Sequence, residues 1–165
     1  MTDAAEPFHR LVGQLDYSMF IVTATGAVGA ERAGCLVGFA TQTSIDPPRF
    51  LVCISRRNRT HEVAEQAVAL AVHFVPADAE DLVALFGSRS GHEIDKFVQT
   101  PWRRGPEGAA ILAACPNWFV GRVVERRALG DHTGYLLEPV AANFEGSEDE
   151  FPFHRAKRFP PGREA

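Results

Sequence analysis

Seven consecutive residues carry the densest polar chemistry in this chain: Ser55-Arg56-Arg57-Asn58-Arg59-Thr60-His61. Guanidinium forks match phosphate oxygens in pairs. A helix starting at Thr60, with that residue as its N-cap, would add backbone amides that face an anion. A solvated basic turn uses the same residue types, so composition alone leaves both readings open. The loop follows an apolar, β-prone run, Phe50-Leu51-Val52-Cys53-Ile54, which reads as a buried strand. Upstream lies a second apolar run, Leu36-Val37-Gly38-Phe39, which gives way to Thr41, Gln42 and Ser44 before the turn Asp46-Pro47-Pro48. A strand that empties into a basic loop, beside a wall grading from apolar to polar, suits a flat apolar ring with an anionic tail. Thr41, Gln42 and Ser44 either hydrogen-bond such a ring or face solvent from a strand. His61 either meets the anion or is a partly buried structural residue.

Asp131-His132 is the other pair that invites chemistry, because a carboxylate beside an imidazole suggests a general base. Neighbours on a strand point to opposite faces, which argues against direct contact unless a turn intervenes. His9, His73, His92 and His154 show no metal-ligand spacing, so no metal is expected. Cys35, Cys53 and Cys115 are odd in number, sit in apolar surroundings and form no CxxC pair. They read as reduced core or wall thiols of a cytoplasmic protein.

The elements that must position these groups fit one domain. The chain has 165 residues, of which 45% are apolar and 23% charged. That is globular composition, and enough chain to bury a core unaided. A net charge of −4 argues against a nucleic-acid binder. No run approaches the ~18 apolar residues of a membrane span, and the acidic start Met1 to Pro7 lacks the pattern of a signal peptide.

Apolar spacing at 8, 11, 12 and 15 predicts a helix. Strands are predicted over 20–25, 33–39, 50–54, 69–75, 111–112, 117–126 and 134–143, with 41–44 extended. Short helices are predicted over 60–67 and, capped by Asp78, over 79–86. Residues 95–98 form a short ordered piece, 102–108 read as loop, and residues 1–7 and 160–165 as flexible tails. No GxGxxG or GxxxxGK loop occurs, and the βαβ alternation of a parallel sheet is missing. The expected fold is mainly β with peripheral helices, an antiparallel barrel.

Five motifs in order resemble the flavin reductase-like family, whose fold is the FMN-binding split barrel. They are the glycine-led stretch Gly34 to Pro48, the loop ending Arg59-Thr60-His61, Asp95-Lys96-Phe97, Gly130-Asp131-His132-Thr133, and the basic end Phe153 to Phe159. The resemblance covers about residues 8 to 159. It implies a homodimer binding FMN or FAD, reduced by NADH or NADPH, with a partner monooxygenase as one acceptor of reduced flavin. Carried over by position, Leu36, Val37, Gly38 and Phe39 would line the flavin ring. Cys53, Ile54, Ser55, Arg56, Arg57, Asn58, Arg59 and Thr60 would wrap its ribityl phosphate, with His61, Lys96 and Phe97 also at the cofactor. His132, as the catalytic positioning group, would meet the nicotinamide nucleotide together with Phe153, His154, Arg155 and Ala156.

The family often has Thr-Ala-Ser where this chain has Leu36-Val37-Gly38. Donors to the ring's polar edge would then be backbone amides, that of Phe39 among them. A flavin-binding module without reductase activity is the alternative reading, and a barrel holding deazaflavin or haem a third.

Overall fold

The computed structural model describes residues 3–27 and 31–162. Helix α1 (Ala5–Val12) precedes strand β1 (Phe20–Thr25). Strands β2 (Arg32–Val37), β3 (Ala40–Ser44) and β4 (Arg49–Ser55) follow, then helix α2 (Arg59–Ala64) and strand β5 (Ala69–Phe74). Next come helix α3 (Glu80–Ser88), a 3-10 turn at Lys96–Val98, β6 (Trp102–Arg104) and β7 (Ala110–Leu112). Strands β8 (Trp118–Leu129) and β9 (His132–Asn143) and helix α4 (Phe153–Ala156) complete the order.

Seven strands form one antiparallel sheet in the order β2-β1-β5-β8-β9-β4-β3, and β6 pairs with β7 apart from it. The two edge strands, β2 and β3, are neighbours in sequence, joined only by Gly38 and Phe39. The sheet therefore curls enough to bring the ends of its two edge strands close together at that link. The curl is visible in the packing. Val22, Val37, Val52, Leu70, Phe119 and Leu137, one from each of six strands, share a core with Val63 and Ala64 of α2. The other face of β1 presents Ile21 to a second core with Val83 and Phe86 of α3, Phe97, Leu112 and Phe151. Strand alternation explains the split, since Phe20, Val22 and Ala24 point one way and Ile21 the other.

Several expectations move. Residues 102–104, read as loop from their Pro and Gly neighbours, pair as β6 with β7. The two C-terminal strands are longer than their hydrophobic pattern, because half of β8 is exposed and so shows no alternation. Asn58, not Thr60, is the N-cap of α2: its side chain accepts from Thr60 N–H at 2.9 Å. Asp78 does not cap α3, whose N-cap is Ala79 without a side-chain bond. Helix α1 starts at Ala5 and buries no residue, leaving Phe8 and Leu11 exposed, and Leu15 beyond its end is exposed too. Near the C-terminus Gly162 N–H donates to Gly87 O at 3.0 Å.

His73 stitches three strands from the fully buried middle of β5. Its Nδ1 donates to Ile21 O at 2.9 Å, and Leu112 N–H donates to its Nε2 at 3.1 Å. A second ring proton would face that N–H, and burial has already pushed the pKa down from 6.5 to about 4. The unfolded chain therefore binds a proton that the folded chain refuses. Stability should be full above pH 6.5 and fall as the pH drops towards 4, by up to roughly 3 kcal/mol. Urea unfolding at pH 7, 6 and 5 checks this before carboxylates titrate. His73→Gln should flatten the slope, and a parent protein equally stable at pH 7 and 5 would contradict it.

Candidate active site

The end of β2, the Gly38–Phe39 link, the end of β4 and the start of β9 meet where the sheet's edges converge. There they enclose a cavity of about 350 Å³. Cys35, Leu36, Val37, Gly38 and Phe39 line it from the β2 side, Cys53, Ile54 and Ser55 from β4, with Asn58 and His132 as polar groups. Tyr17, Met19, Phe153 and Pro161 complete the lining. Tyr17 stacks on Phe153 with ring centroids 4.6 Å apart and planes at 11°. Gly38 permits this: a Cβ there would lie 2.9 Å from the Tyr17 ring and 3.3 Å from Met19 Sδ. Burial pushes the thiols of Cys35 and Cys53 up, so both are protonated, weakly polar wall rather than nucleophiles. All three cysteines are free.

The Gly38 and Phe39 amides make no hydrogen bond among the described residues, whereas Phe39 O accepts from Cys53 N–H at 2.8 Å. Donors that could meet a ring's polar edge are therefore backbone groups. An apolar wall with free amides and few polar side chains fits a flat heteroaromatic ring better than a sugar or a metal. Among the described residues no three His, Cys, Asp or Glu side chains converge as metal ligands.

The basic loop is pinned beside the β8–β9 turn. Arg56 N–H donates to Asp131 O at 3.0 Å, and Asn58 N–H to Ser55 O at 3.0 Å. The Arg56 and Arg57 side chains are exposed. Arg59 pairs with Glu31 and Glu62, and Glu62 also takes His92 Nε2 at 2.7 Å. Thr60 is buried below the loop, its hydroxyl near the Cys35 thiol. His61 turns towards β9, its Nε2 2.8 Å from Thr133 Oγ1.

Other expected residues lie apart from the cavity. Thr41, Gln42 and Ser44 run along the edge strand β3, where the Thr41 hydroxyl donates to Gln42 O and the Gln42 amide to Ser44 O. Lys96 is buried; its Nζ donates to Gly34 O and Phe86 O, each at 3.0 Å, and burial lowers its pKa. Phe97 packs edge-on against Phe86 and Trp102. In α4 only Phe153 reaches the cavity. His154 N–H donates to Asp16, Arg155 donates to Ala77 O and pairs with Glu80, and Ala156 is core. Tyr17, Met19 and Pro161 had no sequence signal, because only long-range packing brings them to the cavity.

Asp131 and His132 do touch, contrary to the strand argument. Gly130 and Asp131 form the two-residue turn between paired Leu129 and His132, with Gly130 at φ 77°. Glycine at the first turn position is the signature of a type II′ hairpin. Asp131 therefore escapes strand alternation, and its Oδ1 accepts from His132 Nδ1 at 2.6 Å. That bond holds the Asp131 carboxyl below the usual carboxylate range. It leaves Nε2 as the ring nitrogen free to meet a ligand. The His132 ring packs on Phe39 at 5.2 Å.

The fold is a mainly antiparallel β domain with a cavity between the ends of β2 and β4 and the start of β9. The flavin reductase like domain model matches residues 12–161, and the chain belongs to that family. It is 30% identical over 141 residues to the FMN reductase (NADH) RutF of Methylorubrum extorquens, covering 84% of this chain and 67% of the relative. The NADH:FAD oxidoreductase SgcE6 of Streptomyces globisporus superposes with a TM-score of 0.81 at 23% identity, over 93% of this chain and 90% of that one. The nitrilotriacetate monooxygenase component B homolog of Mycobacterium thermoresistibile superposes with a TM-score of 0.75 at 22% identity, over 88% and 79%.

Asn58 joins cap and cavity, which makes its two roles separable. Asn58→Ala should cost about 1 kcal/mol of stability without ligand, and Asn58→Asp, which caps as well, almost none. Chemical unfolding of both variants checks this; an Ala variant as stable as the parent would deny the cap its weight.

Proposed function

We propose that this chain is an NAD(P)H-dependent flavin reductase, with the flavin ring in the cavity between β2, β4 and β9. The observation that carries the reading is the apolar cavity with free Gly38 and Phe39 amides and a single imidazole, His132, at its polar side. When bound, the flavin supplies hydride acceptance from reduced nicotinamide, the cofactors doing the chemistry and the protein the geometry. The residues of this chain hold the ring by shape, exclude water with Leu36, Val37, Ile54 and Phe153, and present the Gly38 and Phe39 amides to its polar edge. Ser55, Asn58 and Arg59 take the ribityl phosphate end, Arg59 exchanging a carboxylate partner for phosphate. His132, oriented through Nδ1 by Asp131, positions the nicotinamide.

We further read the curled sheet as a split barrel, supported by the two-residue link between its edge strands. We read the working form as a cytoplasmic homodimer. Phe39 is 57% exposed at the cavity rim, and α1 and the residues after it leave Phe8, Leu11 and Leu15 unburied. Light scattering should report twice the chain mass; a monomer that binds flavin at full stoichiometry would remove the dimer. A partner monooxygenase is the consumer we propose for reduced flavin, by fold-level analogy with the monooxygenase component B homolog.

Mixing the protein anaerobically with flavin and NADH or NADPH should bleach the flavin's yellow band. Flavin bound but never bleached would make the chain a binding module instead. His132→Ala should keep flavin affinity within about twofold while slowing anaerobic reduction by ~100-fold or raising the nucleotide KM, because misplaced reactants lose about that much. A stable variant that reduces flavin at the parental rate and nucleotide dependence would take His132 out of the reaction.

A further inference from the structure

The ring cavity continues beyond the basic loop. It shares Leu36, Ser55, Asn58 and Pro161 with a second cavity of about 180 Å³, which also contains Arg89. The second shares Arg59 and Gly91 with a third of about 340 Å³, lined by Arg32, His92, Glu93 and Lys96 among others. A ligand with its ring against Leu36 and its first phosphate near Asn58 therefore has room to extend past Arg59.

The chemistry of the third cavity points to what would extend there. Lys96 is only 4% exposed and uses two of its three ammonium protons on Gly34 O and Phe86 O. Arg32 lies over the Trp102 ring at 4.3 Å. Its Nε is buried without a hydrogen-bond partner, and it forms no ion pair among the described residues. Arg89 in the second cavity is exposed and likewise without an ion pair among the described residues. A buried guanidinium nitrogen left unpaired, as at Arg32 Nε, is costly, and it favours an acceptor-rich anion. His92, by contrast, is already matched by Glu62. The Glu93 carboxylate on the lining repels phosphate and suits the hydroxyls of a ribose. A diphosphate followed by a ribose offers both kinds of group.

We propose that the second and third cavities receive the adenosine diphosphate half of FAD, so that this chain binds FAD in preference to FMN. The inference rests on the flavin ring occupying the first cavity. Reduced nicotinamide nucleotides carry the same adenosine diphosphate chemistry, so the test separates the two sources.

Riboflavin, FMN and FAD are titrated without nicotinamide into the parent and into Arg32→Gln. FAD should bind the parent at least about tenfold more tightly than FMN, the equivalent of one charge-assisted hydrogen bond. Arg32→Gln should remove most of that advantage and leave FMN within about twofold. Millimolar ADP should compete with FAD but not with riboflavin on the parent, which decides the matter even if the variant fails to fold. Equal affinity of the parent for FMN and FAD overturns the proposal. So does an Arg32→Gln variant with parental FAD affinity and a raised KM for NADH, which would give the third cavity to the reductant. A parent that binds none of the three flavins, riboflavin included, overturns the reductase reading itself.

Discussion

Everything at the site follows from a two-residue connection. Six inter-strand steps at about 4.8 Å would separate the edges of a flat seven-stranded sheet by roughly 29 Å. The link from Val37 to Ala40 spans three Cα–Cα steps, about 11 Å at full stretch. The sheet cannot be flat, and right-handed strand twist supplies the direction in which it bends. Once the edges converge, the ends of β2 and β4 and the start of β9 face one another over a small volume. The core fills most of that volume with Val, Ile, Leu and Phe. The ligand-sized space remains at the seam, where Gly38 and the exposed Phe39 interrupt the strands.

Buried polar groups hold the outer elements against this curled sheet, each through a satisfied bond. The Thr23 hydroxyl donates to Ala110 O at 2.7 Å and ties β1 to β7. His73 ties β5 to β1 and β7. Lys96 binds β2 to α3 through two carbonyls. The Tyr135 hydroxyl donates to Glu65 at 2.7 Å, and burial, then the carboxylate, raise its pKa far above the ordinary phenol. Truncating any one of these would leave its partner unmatched in a low dielectric, the costly half of the hydrogen-bond asymmetry.

What could be read from the sequence divides along the same line between local and long-range causes. Strands β1, β2, β4 and β5 were legible because their apolar runs are continuous, bounded by turn residues and buried in the structure. The tip of the β8–β9 hairpin, 127–129 and 132–133, was not, since exposed Arg127 and Leu129 carry no burial pattern. The Asp131–His132 bond was misjudged because a two-residue turn was not located, and Gly130 was its one local sign. Leu36 to Phe39, Cys53 to Ser55, Asn58, His132 and Phe153 do gather in one cavity. Tyr17 could not have been placed there, because its position depends on α4 docking from the far end of the chain. Thr41, Gln42 and Ser44 lie along the edge strand β3, outside that cavity, with Thr41 and Gln42 exposed and Ser44 half-buried.

The substitution of apolar residues at the ring wall has a physical consequence of its own. A hydroxyl donor must be frozen in one rotamer to serve a ring, whereas the Gly38 and Phe39 amides are already fixed by the strands on either side. Their aim is set by the link geometry, and that geometry depends on the absence of a Cβ at residue 38, where Tyr17 and Met19 press closest. Leu36 and Val37 then contribute area without polar demands, and Cys35 and Cys53 contribute protonated thiols that any apolar ring tolerates. On the proposed reading, recognition by such a wall would be by shape and by two backbone donors. Discrimination among ligands that share a ring therefore falls to the groups beyond it, along the loop from Ser55 to Arg59 and the cavities that continue past it.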